Sequence, residues 1–196
     1  MNKIIFILGG CKSGKSRYAL DMAESLAPDR KVFIPTCVPL DDEMKIRVAN
    51  HQKERDLTWK TVEAPVMLPE ILFQETKKAS VVLVDCLALW TNNLFMEKDN
   101  KDIDIQSRIK ELVESLNNAL CPIILVSNEV GSGIVPDNAM ARRYRDVLGF
   151  INQRVAKCAQ KVVWVMAGIP LVLKPKIKTI SNIQQGISNV EEREET

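Results

Sequence analysis

The fold of this chain is decided by the stretch Ile4-Ile5-Phe6-Ile7-Leu8-Gly9-Gly10-Cys11-Lys12-Ser13-Gly14-Lys15-Ser16. Its first half is apolar throughout, which predicts a strand buried on both faces. Its second half matches GxxxxGK[ST], a loop that joins a strand to a helix and binds phosphate through backbone N–H groups and the helix N-terminus. The alternative is a chance glycine turn, and both flanks argue against it. The stretch therefore predicts a nucleoside triphosphate site.

Residues Gly9–Ser16 are called the phosphate loop below. Lys15 is its predicted catalytic cation, since its side chain should reach the β- and γ-phosphates. Ser16 should coordinate Mg²⁺ through its hydroxyl. The predicted nucleotide contacts of the loop are Gly9, Gly10, Cys11, Lys12, Ser13, Gly14, Lys15 and Ser16.

Further apolar runs predict the rest of the sheet. They are Val32–Ile34, Val81–Val84, Ile123–Val126 and Val162–Val165. Apolar residues at helical spacing form three stripes, which begin at Tyr18, Ile105 and Tyr144. Each stripe lies between two of the apolar runs. This alternation predicts an α/β fold of the P-loop NTPase type, with a mostly parallel sheet flanked by helices. Leu171–Leu173 lies between prolines, which predicts an edge strand near the C-terminus.

Length and composition bound the organisation of the chain. A length of 196 residues suits one domain, which is predicted over residues 1–174. Residues 175–196 are predicted to be a polar C-terminal tail. Lys+Arg 27 against Asp+Glu 25 gives a formal charge of +2, which argues against a nucleic-acid binder. Five cysteines without a CxxC pair fit neither a disulfide framework nor a zinc site. Together with the lack of a signal-peptide or membrane-spanning pattern, this predicts a cytoplasmic protein.

A second metal-orienting residue is predicted at the end of an apolar strand. In Val81-Val82-Leu83-Val84-Asp85, the carboxylate follows the strand directly, as in a Walker B element, and can orient the Mg²⁺ shell. The alternative is that Asp85 caps the next helix. Beside a phosphate loop, the metal role is favoured.

The chain has one histidine, His51. From the spacing of His51 alone, the preferred interpretation is that it is a packed or surface residue. The functional alternative is a nucleophile, because neutral imidazole is available at cellular pH and can attack phosphorus.

Three sequence blocks together resemble the family of bifunctional adenosylcobinamide kinases/adenosylcobinamide-phosphate guanylyltransferases of cobalamin assembly. The blocks are Gly9–Arg17, then Asp41–Met44 with Arg47, His51, Arg55, Trp59, Thr61 and Glu63, then Asp85–Leu87 with Leu89, Trp90, Asn93, Leu94 and Ser127–Pro136. The resemblance continues through Ala141, Arg142, Arg145, Asp146, Gly149, Asn152 and Gln153 and covers roughly residues 3 to 173. One departure is Lys12, where the family more often has arginine.

The resemblance implies two consecutive reactions. ATP or GTP phosphorylates the aminopropanol hydroxyl of adenosylcobinamide, and GMP is then transferred from GTP to that phosphate, with release of pyrophosphate. It implies His51 as the residue that carries GMP covalently, Mg²⁺ as cofactor, a corrinoid as substrate and a homotrimer as assembly. The nucleotide contacts that it implies beyond the phosphate loop are Ile34, Pro35, Thr36, Gln52, Lys53, Glu54, Arg55, Glu63 and Asp85.

Several roles stay open at the level of sequence. Arg47 and Arg55 either clamp phosphate or form surface ion pairs. Glu129 either holds metal or the corrinoid hydroxyl, or merely orders its glycine-rich loop. Arg142, Arg143 and Arg145 either meet phosphate or a neighbouring subunit, or lie on a solvated face. Two other functions also remain: a kinase that keeps one of the two activities, and a nucleotide-binding switch without chemistry.

Overall fold

Seven strands and five helices make up the part of the chain that the computed structural model describes, residues 4–38, 55–96 and 104–174. The strands are β1 (Ile4–Gly9), β2 (Lys31–Pro35), β3 (Trp59–Thr61), β4 (Val81–Asp85), β5 (Ile123–Asn128), β6 (Lys161–Met166) and β7 (Ile169–Lys174). The helices are α1 (Lys15–Leu26), α2 (Leu68–Glu75), α3 (Leu87–Met96), α4 (Ile105–Asn117) and α5 (Ala139–Cys158). None of these helices has the length and apolar character needed to cross a bilayer.

The strands form one sheet in the order β3-β2-β4-β5-β1-β6-β7. All neighbours are parallel except β6 and β7, which pair antiparallel through a short turn. The predicted α/β fold with a mostly parallel sheet is confirmed, and so is the edge strand near the C-terminus. Sequence patterns did not predict β3, which is only three residues long, or α2.

The sheet is buried on both faces, as the continuous apolar runs predicted. Along β1, Ile4 and Phe6 pack into one hydrophobic cluster, while Ile5 and Ile7 pack into the other. Helices α2 and α4 and most of α3 and α5 cover the first cluster, and α1 covers the second. Since two layers of helix enclose the sheet, the strand ends are the places where loops can form a site.

Trp90 belongs to this core and not to an open site. The side chain is fully buried on α3, and its Nε1 donates to the Val66 carbonyl at 2.9 Å. Its burial and its satisfied N–H both indicate a packing role.

An ion-pair cluster joins α2 to α4. Arg108 donates to both carboxylate oxygens of Glu70, at 2.7 and 2.9 Å, to Glu111 and to the Val66 carbonyl. Its hydrogen bonds lower the pKa of Glu70 below the ordinary value of 4.5. Glu70 is therefore charged in the folded protein over most of the pH range, and its bond with Arg108 stabilises that charged form.

The lowered pKa of Glu70 predicts a pH-dependent effect of Glu70→Gln. A carboxyl whose pKa is lowered by folding adds stability above its unfolded pKa and loses it as pH falls through its folded pKa. We expect Glu70→Gln to lower the free energy of unfolding by about 1 kcal/mol or less at pH 7, because the pair is partly exposed. The difference should shrink as the pH falls below the ordinary carboxyl pKa of 4.5 and disappear once Glu70 is protonated in the folded protein as well.

Urea unfolding at pH 7 and at low pH measures this difference. Glu114→Gln is the matched control, since Glu114 forms an exposed pair with Lys110 at 3.8 Å in the part of the chain that the structure describes. A Glu70→Gln effect that stayed constant with pH would contradict the prediction.

Candidate functional site

Most of the predicted site residues that the structure describes lie at one edge of the sheet. Because β1 to β6 run parallel, their carboxyl ends meet there, and open α/β sheets bind ligands at this edge. The phosphate loop follows β1, Thr36 follows β2, Glu63 follows the end of β3, and Asp85 ends β4. The predicted residues His51, Gln52, Lys53 and Glu54 lie outside the described residues.

The phosphate loop curls back on itself and leads into α1. The Gly10 carbonyl accepts a hydrogen bond from the Ser13 N–H at 3.3 Å and another from Lys15 Nζ at 3.0 Å. Lys15 is also the first residue of α1, so its cation lies over the loop at the positive end of the helix dipole. The loop thus gathers two sources of positive charge where phosphate oxygens would bind.

Two glycines of the loop are required by its geometry. A Cβ on Gly9 would lie 2.4 Å from Ser13 Oγ and 2.5 Å from the Val165 carbonyl oxygen, which leaves no room for a side chain. Gly14 caps α1 with a φ of +93°, a left-handed conformation that favours glycine. The motif's glycines therefore have a steric reason independent of any ligand.

The turn between β6 and β7 supports the phosphate loop from the side. The Gly168 N–H donates to the Ser13 carbonyl at 2.9 Å, and the Gly168 Cα lies 3.3 Å from the point where a Gly14 Cβ would stand. No sequence pattern predicted this contact. The only local signal was Gly168 itself, in a two-residue turn typical of hairpins.

Asp85 and the phosphate loop lie at the same edge but not on neighbouring strands. Strand β5 separates β4 from β1. Asp85 and the phosphate loop are therefore two strand spacings apart, or about 10 Å. A triphosphate with its hydrated Mg²⁺ can bridge such a distance. Among the described residues, no group of three or more His, Cys, Asp or Glu side chains could hold a metal ion. Ser16 and Asp85 carry oxygen donors, the type of ligand that Mg²⁺ prefers.

The end of β5 fills the space between these two groups. The Glu129 N–H donates to the Gly9 carbonyl at 3.2 Å, and Oε1 of Glu129 accepts from the Gly131 N–H at 2.5 Å. Asn152 on α5 fixes the same strand end, since it accepts from Ser127 Oγ at 2.8 Å and donates to the Asn128 carbonyl at 3.1 Å. These bonds support the alternative that Glu129 orders its loop.

Two buried polar atoms near the loop have no hydrogen-bond partner among the residues that the structure describes. They are Oγ of Ser13 and Oδ1 of Asn128, which lie on the phosphate loop and on the strand end beside it. Buried polar atoms normally have partners, so orphaned ones indicate a place where a ligand or water completes the bonding.

At the end of β2, most polar groups are already used by the protein. Thr36 is fully buried; its hydroxyl donates to the Cys86 carbonyl at 2.6 Å and accepts from the Cys86 N–H at 3.0 Å. Asn93 donates to the Thr36 carbonyl at 2.7 Å. Ile34 is also fully buried, whereas Pro35 is half-buried. The nucleotide contacts predicted here stay predictions, and Pro35 has the most surface to make one.

Arg55 and Glu63 belong to the β2 side of the site. The Arg55 guanidinium carbon lies 3.8 Å from the centre of the Phe33 ring, a cation–π contact with β2. Glu63 is exposed beside the end of β2, because the next residue, Ala64, donates its N–H to the Pro35 carbonyl at 3.0 Å. Arg55 therefore lies against the middle of β2 and Glu63 near its end, and the nucleotide contacts that the resemblance implied for both residues stay predictions.

Cys86 directly follows Asp85 and has no nucleophilic character. Burial, and secondarily the Asp85 charge, raises the pKa of its thiol to about 12. A thiol with such a pKa is protonated at neutral pH and inert. Lys15 partly opposes this rise, so its positive charge acts on the Cys86 end of β4 as well as on the phosphate loop.

The comparisons with known proteins agree over almost the whole chain. The family model described as cobinamide kinase / cobinamide phosphate guanyltransferase matches residues 5–173. The bifunctional adenosylcobalamin biosynthesis protein CobP of Pseudomonas aeruginosa is 39% identical over 171 residues, which are 86% of this chain and 95% of that protein. The bifunctional adenosylcobalamin biosynthesis protein CobU of Escherichia coli is 36% identical over 184 residues, which are 87% of this chain and 99% of that protein.

Among solved structures, the flagellar accessory protein FlaH from Methanocaldococcus jannaschii has a TM-score of 0.50 and 14% sequence identity, over 88% of this chain and 78% of that chain. This likeness bears on the fold alone. Function follows from the family, whose model and relatives match the same span that contains the phosphate loop, Asp85 and the loop after β5. The chain belongs to the cobinamide kinase / cobinamide phosphate guanyltransferase family.

Proposed function

We propose that this chain uses one nucleotide site for two consecutive transfers. It phosphorylates adenosylcobinamide with ATP or GTP, and it then transfers GMP from GTP to adenosylcobinamide phosphate, giving adenosylcobinamide-GDP and pyrophosphate. The observation that carries the proposal is the phosphate loop closed over Lys15 at the strand edge that also holds Asp85. Both reactions need a bound triphosphate, and this edge offers one place for it.

In the first transfer, the acceptor hydroxyl oxygen attacks the γ-phosphorus, and the bond from that phosphorus to the β,γ-bridging oxygen breaks. The hydroxyl proton leaves to solvent or a base, and the nucleoside diphosphate departs. Lys15 stabilises the charge that develops on the phosphate oxygens, because its amine lies beside the loop that would hold them. The backbone N–H groups at the start of α1 add to this stabilisation.

In the second transfer, an imidazole nitrogen of His51 attacks the α-phosphorus of GTP, and pyrophosphate leaves. A phosphate oxygen of adenosylcobinamide phosphate then attacks the same phosphorus, and the P–N bond breaks to return free His51. A covalent intermediate divides one difficult displacement into two easier ones. The role of His51 follows from the family resemblance and from its being the only histidine of the chain.

Mg²⁺ completes the proposed site. When bound, it would neutralise negative charge on the phosphates and on the leaving pyrophosphate. The Ser16 hydroxyl and the Asp85 carboxylate would hold it, together with nucleotide oxygens.

The proposal extends to assembly, location and organisation. By family resemblance, the protein is a homotrimer, and by its cysteine pattern it belongs in the cytoplasm. We assign residues 1–174 to the catalytic domain and residues 175–196 to a polar C-terminal tail. Sedimentation equilibrium of the full chain tests the assembly directly, since a monomer or dimer mass would exclude the trimer.

Covalent labelling tests the proposed function. The protein is incubated with Mg²⁺ and GTP labelled at the α-phosphate, without any corrinoid, and is then denatured in acid or in base. We expect one label per active subunit, stable in base and lost in acid, together with one equivalent of pyrophosphate. That chemical behaviour is expected of a phosphorus–imidazole bond.

The other outcomes point to the two alternative functions. Absence of label and pyrophosphate, with ATP-dependent phosphorylation of adenosylcobinamide intact, would leave a kinase that keeps one activity. Absence of both chemistries, with normal GTP binding, would leave a nucleotide-binding switch.

A further inference from the structure

The loop between β5 and α5 has an apolar tip that neither the fold nor the nucleotide accounts for. Ile134 is 96% exposed, Val135 is 59% exposed, and Met140 in the first turn of α5 is 51% exposed. Single exposed apolar side chains are ordinary, but a group of them on one loop indicates a contact surface. These three residues are called the apolar tip.

The loop that carries the apolar tip starts at the phosphate loop. The Glu129 N–H bonds to the Gly9 carbonyl, and Asn128 pairs with Gly9 in the sheet. The base of this loop therefore lies at the border of the proposed nucleotide site, and Ile134 follows five residues further along the chain. In the sheet order, it follows the strand that lies between the phosphate loop and Asp85.

Polar side chains hold the backbone of this loop. Arg142 donates to the Pro136 and Asp137 carbonyls at 2.9 and 2.6 Å, and Arg145 donates to the Ile134 carbonyl at 3.4 Å. Asn138 caps α5 by accepting from the Met140 and Ala141 N–H groups at 2.8 and 3.1 Å. Arg142 and Arg145 thus bind the protein's own backbone, and the apolar side chains are presented on a fixed support.

Geometry limits what can contact this tip. For phosphoryl transfer, the acceptor hydroxyl must reach the γ-phosphate in the phosphate loop, so the bulk of the acceptor must lie on the surface around that loop. The acceptor of this family is a corrinoid, a large ring whose rim carries methyl groups beside amide side chains. An exposed apolar tip on a loop that starts beside the phosphate loop suits those methyl groups.

We propose that the apolar tip is the surface on which the corrin ring of the acceptor docks. This inference rests on the proposed function for the identity of the acceptor. The backbone bonds of Arg142 and Arg145 keep the tip in place before the acceptor arrives, so docking does not need to order the loop first.

The test is binding of cobinamide to Ile134→Ser/Val135→Ser, measured by equilibrium dialysis and read from the visible absorbance of the corrinoid. Mg²⁺ and a non-hydrolysable ATP analogue are present throughout. We expect the Kd for cobinamide to rise about tenfold or more, because two apolar contacts are lost. The KM for adenosylcobinamide should rise in parallel, while the KM for ATP should stay unchanged.

Two further variants separate docking from general damage. Leu120→Ser is the matched control, since Leu120 is 66% exposed just before β5, at the opposite end of the sheet. It should leave the Kd for cobinamide unchanged. Ile134→Leu, which keeps the apolar character, should bind cobinamide nearly as well as the parent protein.

An unchanged Kd for cobinamide in the double variant would overturn the inference, and so would an equal rise in the KM for ATP. Failure of the proposed function is a separate result. Covalent labelling by GTP is measured without any corrinoid, so its absence would remove the histidine mechanism and leave the cobinamide binding measurement to decide the docking surface.

Discussion

Replacing His51 with alanine is expected to abolish the acid-labile label from GTP and to lower guanylyl transfer at least about 10⁴-fold, as the loss of a covalent nucleophile does. Phosphorylation of adenosylcobinamide by ATP should stay within about threefold of the parent rate, because the hydroxyl attacks the γ-phosphate directly and needs no covalent intermediate. The two activities should therefore separate in a single variant. The measurements are the bound label, pyrophosphate release and corrinoid phosphorylation on the same preparation.

His51→Asn controls for the loss of a polar side chain. Asparagine keeps hydrogen-bonding groups at this position but cannot form a phosphorus–nitrogen bond of the same kind, so it should lose the label as completely as alanine does. A His51→Ala protein that still carried the label would remove His51 as the nucleophile. Equal loss of both activities would indicate that His51 supports nucleotide binding for both reactions.

Lys15→Ala is expected to lower both activities, each by about 10²- to 10³-fold, which is typical when one group that stabilises transition-state charge is removed. The physical reason lies in the position of its amine, 3.0 Å from the Gly10 carbonyl and over the loop that would hold the phosphates. Since both reactions build charge on the same triphosphate, one cation serves them both. This result would differ from that of His51→Ala, which separates the two activities.

Steady-state rates of corrinoid phosphorylation and of pyrophosphate release measure the effect of Lys15→Ala. Lys110→Ala is the matched control, because the Lys110 side chain is 77% exposed on α4. This substitution removes the same positive charge at a position far along the chain from the site. If Lys15→Ala retained more than about a tenth of either activity, the shared role of Lys15 would be refuted for that reaction.

Much of this protein could be predicted from short stretches of its sequence. The runs that became β1, β2, β4, β5 and β6 are apolar because each strand is buried on both faces. The phosphate loop was recognisable because its glycines meet a steric need within the loop, as the contacts of Gly9 with Ser13 illustrate. The short strand β3 was not predicted, because Trp59–Thr61 has only three residues, two of them exposed, and no apolar run.

The structure shows local partners for two charged residues, Arg142 and Glu129, whose roles the sequence left open. Arg142 donates to the Pro136 and Asp137 carbonyls, and Glu129 accepts from the Gly131 N–H, so both hold the loop after β5. A charged side chain in a sequence carries no sign of whether its partner is a phosphate, solvent or a carbonyl. Backbone carbonyls are present at every residue, so no pattern of residue types can mark which one is the acceptor.

By itself, the sequence determined the strand-and-helix alternation, the phosphate loop and the family, because each depends on neighbouring residues or on motifs at fixed spacing. Only the tertiary structure decided that β5 lies between the phosphate loop and Asp85, that Gly168 supports the loop at Ser13, and that the apolar tip is exposed. The physical reason is that strand order and loop contacts arise from hydrogen bonds and packing between residues far apart in the chain. A local pattern can fix which residues are buried, but not which distant residues they are buried against.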